Sequence, residues 1–215
     1  MKILAIDTSG QQAGAAVAEN GKTLGRTVAA AHTHPKEWRH SQILLPAIAR
    51  LLNEAGLTLA DIGCIAYTCG PGSFTGLRIG AATALGLAKG SGLPCVGVPT
   101  LDAMAYTKIT SGETKVVPVM DARRGQVYAA VYKRDADGKM ERVSDYFAAP
   151  IEEVTEIAGD AVIVNDAVDP AAVAAWAMEN INPKPNEPDN AMPIQNAELL
   201  YIRAPQAVRE ATGKC

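Results

Sequence analysis

The sequence predicts an α/β protein built from two related lobes, and three observations carry that reading. A pattern of strand, aspartate, turn, strand, tight turn and strand occurs at 2–29 and again at 115–146. Between the copies, apolar runs of strand length alternate with longer segments of helical period. The 215 residues, 48% hydrophobic and 20% charged, match a globular chain of one large or two small units.

The first copy opens with the apolar run Lys2 to Asp7, a turn at Asp7-Thr8-Ser9-Gly10, and a second run from Ala13 to Glu19. Asn20-Gly21 then signals a two-residue hairpin, because both central residues of that turn need positive φ. Lys22 to Ala29 completes a three-stranded meander. Residues 37–55 carry Ile43, Leu44, Ala47, Ile48, Leu51 and Leu52 at helical spacing, with Gly56 as the stop. Pro46 is expected to start the regular helix or to kink it. Ile62 to Tyr67 reads as a buried strand, Gly76 to Lys89 as a helix, Cys95 to Val98 as a strand, and Leu101 to Tyr106 as the start of a third helix.

The second copy runs through Lys115 to Met120, Gln126 to Lys133 and Lys139 to Tyr146, with Asp135-Ala136-Asp137-Gly138 as its tight turn. Two such meanders point to an internal duplication. Beyond 150 the pattern predicts short helices at 150–157 and 170–178 and a strand at 161–164. The prolines at 183, 185, 188 and 193 mark a linker, and 197–207 has helical character. Residues 1–106 therefore form the first lobe, 107–190 a smaller second lobe, and 191–215 a tail that could pack back on the first.

Composition excludes several classes. A net charge of −3 implies no basic face for tight autonomous binding to nucleic acid. No apolar run reaches the roughly 18 residues that span a bilayer, and the N-terminal run stops at Asp7 without the pattern of a signal peptide. Cys64, Cys69, Cys95 and Cys215 lack metal or redox spacing. His32-x-His34 and His40 lack the further ligands that a metal site needs, so no metal is expected.

Two segments stand out. Gly70, Gly72, Ser73 and Thr75 lie in a glycine-rich turn between a strand and a helix. Such a turn suits either an anion or a plain N-cap by Ser73 or Thr75, although the lysine of a phosphate-binding loop is missing. Gly76, Gly80, Ala84 and Ala88 then make a stripe of small residues along one helix face. That stripe serves either the protein's own sheet or a helix of a second chain. With Ile43, Leu44, Ala47, Ile48 and Leu51 of the preceding helix, it is the expected partner interface. Arg123 and Arg124 follow Asp121 in a hairpin turn and suit a phosphate, a carboxylate or solvent.

The stretch Gly70-Pro71-Gly72-Ser73-Phe74-Thr75-Gly76-Leu77-Arg78-Ile79-Gly80 resembles the signature of the TsaB (YeaZ) family, bacterial proteins of tRNA threonylcarbamoyladenosine biosynthesis. Ile6-Asp7-Thr8-Ser9, His40-Ser41-Gln42-Ile43-Leu44-Leu45-Pro46 and Met120-Asp121-Ala122-Arg123-Arg124-Gly125-Gln126-Val127-Tyr128 resemble its other motifs, in matching order. The resemblance is strong over about 1–146 and weak over 147–215. It implies the ASKHA architecture of actin and the sugar kinases, in which Asp7, Thr8 and Ser9 would occupy the place that holds nucleotide phosphates.

The resemblance also implies partners. TsaD and TsaE would join this chain in transferring a threonylcarbamoyl group to adenosine 37 of tRNAs that read codons beginning with A. The chemistry would belong to TsaD, whose metal-binding His-x-x-x-His motif is matched here by His40 through Leu44, without the second histidine. The expectation is a non-catalytic scaffold or activating subunit with no cofactor of its own. ATP and a divalent metal would act in the partner complex, and tRNA would be met only there. Alone, the chain would pair as a homodimer, away from membranes, in the cytoplasm. The other reading, an independent ASKHA ATPase or glycoprotease-like hydrolase, fits less well, because 147–190 is short and holds the single glycine Gly159.

Overall fold

The computed structural model describes residues 1–30, 40–181 and 199–202. His32 and His34, the proline-rich linker, most of the expected tail helix and Cys215 lie outside the described residues. The strands are β1 (Lys2–Asp7), β2 (Gln12–Glu19), β3 (Lys22–Ala30), β4 (Cys64–Gly70), β5 (Cys95–Pro99), β6 (Lys115–Arg123), β7 (Gln126–Ala129), β8 (Tyr132–Arg134), β9 (Met140–Arg142), β10 (Phe147–Pro150) and β11 (Val162–Val164). The helices are α1 (His40–Glu54), α2 (Phe74–Ser91), α3 (Thr100–Thr110), α4 (Ile151–Ala158) and α5 (Pro170–Asn180).

The first sheet runs β3-β2-β1-β4-β5, antiparallel through the meander and parallel from β1 onward. Asn20 and Gly21 hold φ of 50° and 76°, the turn that joins β2 to β3. In the second sheet β6 pairs antiparallel with β7 and β8, and parallel with β11 on its other edge. β7 and β8 follow one unbroken register along β6, from Met120↔Tyr128 to Lys115↔Lys133. They separate opposite Pro118, which has no N–H to offer the ladder. β10 and β9 pair with β7 and β8 respectively. Both sheets thus carry third strand, second strand, first strand and a parallel fourth in the same order. The two meanders lie in separate sheets, in the two-lobed ASKHA arrangement.

The third strand of the second meander departs from the expected Lys139 to Tyr146. It splits into β9 and β10 and extends to Pro150. In the gap, the Ser144 hydroxyl accepts from the Val131 N–H at 2.9 Å, and Tyr146 turns inward to donate to Asp102 at 2.6 Å. Of the two expectations for Pro46, helix α1 excludes the first: the proline lies inside the helix rather than at its start. Leu57 N donates to Leu52 O at 2.8 Å past Gly56, the expected stop.

Period-two alternation sorts the first sheet into two cores. Leu4, Ile6, Ile65 and Tyr67 face α1 and α2, while Ile3, Ala5, Cys64 and Ala66 face α5 and Ala103 of α3. On the second sheet, Val116, Ala130 and Tyr132 meet α3, and Val117, Val119 and Ala129 meet α4. Helices α3 and α5 therefore form a central layer between the sheets. Residues 199–202 return to the first lobe, where Leu200 N donates to Cys69 O at 2.7 Å and the Tyr201 ring lies 5.6 Å from Phe74.

The expected partner face is corrected here. Ile43, Leu44, Ala47, Ile48 and Leu51 are buried in the chain's own core, as are Gly76, Gly80, Ala84 and Ala88. The small stripe serves the sheet: a Cβ at Gly76 would lie 2.1 Å from Thr8 O, and one at Gly80 2.2 Å from Thr8 Oγ1. Gly76→Ala should therefore lower stability by about 2 kcal/mol or more through overpacking. The check is a fall in the urea midpoint with an unchanged slope; an unchanged midpoint would mean that α2 can shift away from Thr8.

Candidate functional site

β1 and β4 are parallel neighbours, and their register sets Asp7 beside Thr68 at the carboxyl ends of the strands. That end of an open α/β sheet is where ligand crevices form. Asp7 is 5% exposed, and its Oδ1 accepts from Ser9 N at 3.1 Å, Ser9 Oγ at 2.7 Å and Thr68 Oγ1 at 2.8 Å. Burial pushes the Asp7 carboxyl above the ordinary aspartate range, partly offset by the bonds from Ser9 and Thr68 and by the charge of His40.

The second lobe repeats the device. Asp121, near the end of β6, accepts from the N–H two residues ahead, Arg123 N, at 2.7 Å, and its Oδ2 meets Arg123 Nη1 at 3.2 Å. Asp7 and Asp121 are corresponding residues of the two meanders. Both line a cleft of about 730 Å³ between the lobes. Gln12, Val28, Val127, Asn165 and Val168 are among its other walls.

The expected phosphate-binding set is divided by the fold. Asp7 and Ser9 line the cleft, whereas Thr8, Gly70, Gly72, Ser73 and Thr75 do not. Thr8 is fully buried with its hydroxyl aimed at Gly80 and no partner among the described residues. Ser73 is the N-cap of α2, accepting from Gly76 N at 3.2 Å, and its own N–H donates to Ser9 O at 2.7 Å. The glycine-rich turn thus braces the Asp7 loop from behind. Arg123 and Arg124 stand exposed at the tip of the β6–β7 hairpin, with φ of 68° and 57°. His40 lies with Nε2 3.2 Å from Gln11 O, and no metal-ligating group of three occurs among the described residues.

Sequence reasoning missed the cleft walls Gln12, Gln126, Asn165 and Asp166. Nothing local marks them, because strand pairing brings them together. It also missed Asp102, in the first turn of α3, whose Oδ1 accepts from Tyr132 and Tyr146, each at 2.6 Å. Burial raises the Asp102 carboxyl, and the two phenols oppose that rise. One acid in the apolar run Leu101-Asp102-Ala103-Met104-Ala105 was the available signal. Burial pushes the thiols of Cys64 and Cys69 up to about 12 and that of Cys95 to about 11, which leaves them unreactive.

Comparison with known proteins adds the following. The family model described as TsaD, tRNA N6-adenosine threonylcarbamoyltransferase, matches residues 32–177. The tRNA threonylcarbamoyladenosine biosynthesis protein TsaB of Escherichia coli K12 is 42% identical over 139 residues, 64% of this chain and 58% of that protein. TsaB of Bacillus subtilis is 36% identical, over 66% of this chain and 59% of that one. The chain thus spans somewhat under 60% of the length of these relatives. Among solved structures, YeaZ from Pseudomonas aeruginosa superimposes with a TM-score of 0.67 at 25% identity, over 83% of this chain and 92% of that one. A second Pseudomonas aeruginosa structure, titled as similar to peptidase YeaZ, shares the fold with a TM-score of 0.73 at 24% identity, over 94% of this chain and 99% of that one. No helix among the described residues is long and apolar enough to cross a membrane.

The raised carboxyl of Asp7 has a consequence for stability. Below the unfolded pKa both states are protonated and the residue contributes nothing. As pH rises from the unfolded to the folded pKa, the unfolded chain releases its proton while the buried carboxyl keeps its own, so the native state loses stability across that window. Asp7→Asn removes that charge and keeps an acceptor. The variant should melt above the parent at pH 7.5, with the gap closing toward pH 4. A variant that melts lower at pH 7.5 would show that the ionised carboxylate is a net stabiliser.

Proposed function

The chain belongs to the TsaD family, tRNA N6-adenosine threonylcarbamoyltransferase, and we propose that within it this chain is a non-catalytic subunit. It scaffolds or activates a TsaD-like enzyme that transfers a threonylcarbamoyl group to adenosine 37 of tRNAs reading codons that begin with A. TsaE is the second partner, ATP and a divalent metal act in the partner complex, and tRNA is met through that complex. Alone, the chain pairs with itself.

The observation that carries this reading is Leu44. It stands where the partner enzyme's motif has its second metal-binding histidine, and it is 1% exposed within the core formed by α1, α2 and the first sheet. His40 is turned to the Gln11 carbonyl instead. A metal pair on this helix would require a polar, ligating side chain where the fold needs an apolar one. The names of the relatives from Escherichia coli and Bacillus subtilis, both proteins of threonylcarbamoyladenosine biosynthesis, support the pathway.

With the inward faces of α1 and α2 committed to the core, the docking surface moves to their outward faces. Leu45 is 50% exposed, and Pro46, Ala49, Ala82 and Gly86 are exposed beside it in the same helix pair. Small and apolar outward positions let a second helix pair approach closely. Such a surface suits both self-pairing and pairing with a homologous enzyme, since related lobes present related faces.

Two substitutions separate this reading from the buried stripe. Leu45→Glu should leave melting within about 1 °C of the parent, because surface changes rarely exceed ~0.5 kcal/mol. It should also abolish capture of TsaD in a pull-down and reduce tRNA threonylcarbamoylation in a reconstituted reaction. Ala84→Arg, at a fully buried position, should instead prevent folding by circular dichroism. Undiminished TsaD capture by Leu45→Glu would move the docking surface elsewhere. Threonylcarbamoyl transfer by the chain without TsaD would overturn the subunit reading.

A further inference from the structure

The two sheets end differently beyond their fourth strands. In the first, β4 is paired along its outer edge with the parallel strand β5, from Ile65↔Cys95 to Thr68↔Val98. In the second, the corresponding strand β11 pairs with β6 and, among the described residues, has no strand on its other side. Pro118 fixes which backbone groups face that open edge. The register sets Ile163 beside Val117, with Pro118 next along β6. If the Ile163 carbonyl pointed toward β6, its donor would have to be the N–H of residue 118, and proline has none. The ladder bonds must therefore run from Val117 N–H to Val162 O and from Val164 N–H to Val117 O. Ile163 thus points both its N–H and its C=O away from β6, and no described residue partners them. Val162 and Ile163 are each 38% exposed, and the strand carries neither a charge nor a proline to guard its edge.

The charge around this edge has one sign. From 151 to 169 the chain carries Glu152, Glu153, Glu156, Asp160, Asp166 and Asp169, and no lysine, arginine or histidine. The aspartates take cations from other elements: Lys115 at 3.3 Å from Asp160, Lys108 at 3.2 Å from Asp166, and Arg26 beside Asp169. The glutamates are exposed on α4 and have no ion pair among the described residues. Val117 shares a core with Val154 and Ala158 of α4, so α4 covers the face of the sheet to which Ile163 points. A strand laid beside β11 would run past this acidic helix. A second copy of the chain suits the edge poorly. Two β11 strands paired antiparallel about Ile163 would set Asp160 of one copy opposite Asp166 of the other, acid against acid.

We propose that the free edge of β11 takes up an extended segment of another protein, apolar and β-branched on one side and rich in lysine or arginine on the other. The segment extends the second sheet as β5 extends the first. Ile163 supplies the donor and acceptor that set its register, and the glutamates of α4 select its charge. The edge belongs to the second lobe, apart from α1 and α2, so this inference is independent of the docking surface and the subunit reading given above.

The probe is a fluorescein-labelled peptide, Lys-Val-Lys-Val-Thr-Val-Lys with blocked ends, titrated with the full chain and followed by fluorescence anisotropy. Binding should saturate below about 1 mM. The same peptide with glutamate in place of lysine should bind at least about tenfold more weakly, by a margin that shrinks in high salt. Methylating alternate backbone nitrogens of the peptide removes the donors along one of its edges. One alternate set should abolish binding and the other should leave it, because only one edge meets Ile163. On the protein, Ile163→Pro deletes the outward N–H and keeps the bonds to β6, so the peptide should bind at least about tenfold more weakly, with melting temperature as the folding control. Glu153→Lys with Glu156→Lys, both exposed, should weaken the basic peptide about tenfold and decides the matter if the proline variant unfolds. No saturation at about 1 mM peptide, equal binding of the acidic peptide, or equal effects of the two methylated sets would overturn the proposal. So would a dimer of the chain alone that Ile163→Pro splits in sedimentation, which would give the edge to a second copy.

Discussion

Helix α2 lies so close to the end of β1 that no side chain fits between them, and much of the first lobe follows from that contact. Thr8 O and Thr8 Oγ1 occupy the space where residues 76 and 80 would carry a Cβ, and Ser9 O lies 2.5 Å from the corresponding position at Gly72. Only glycine permits that approach. Because the helix presses on the Asp7–Ser9 loop from one side, that loop has one way to turn. Its carboxylate is then gathered by Ser9 and Thr68 and set at the cleft. The aromatic-poor composition fits the same logic, since a core of alanine, glycine and aliphatic residues packs well only at short distances between elements.

The duplication is visible in a shared turn and is broken in its environment. Asp7 and Asp121 each accept from the N–H two residues ahead. Asp7 is buried among hydroxyls, whereas Asp121 is exposed and paired with an arginine. One ancestral backbone device therefore supplies two electrostatic settings, a neutral-leaning acid on one wall and a screened anion on the other. The β6–β7 turn also holds Arg123 and Arg124 in left-handed geometry, which costs a non-glycine residue more than it costs glycine.

Features set by a few adjacent residues were readable in the sequence: the hairpin at Asn20-Gly21, a cap at Ser73 or Thr75, the stop at Gly56 and the strand-aspartate pattern. Those that depend on distant pairing were not. A stripe of small residues reads the same whether it faces a sheet or another helix, and its true neighbour, Thr8, is 68 positions from Gly76. The break between β9 and β10 answers to Asp102, which is 44 residues from Tyr146. The cleft was readable in Asp7 and Ser9 alone, because its amides are scattered over three segments and share no local pattern.

The central helix layer carries an implication for how the chain is made. Val173, Ala174, Ala177 and Ile181 cover the face of the first sheet formed by Ile3, Ala5, Cys64 and Ala66. α3, which leaves the first sheet, covers the second. On a ribosome, β1 to β5 emerge complete yet with one apolar face uncovered, and that face stays open until α5 has been synthesised. The nascent chain therefore carries an unfinished, aggregation-prone surface through most of its translation. Neither half can be released as an independent folding unit: the gene has duplicated, but the product has become a single cooperative object.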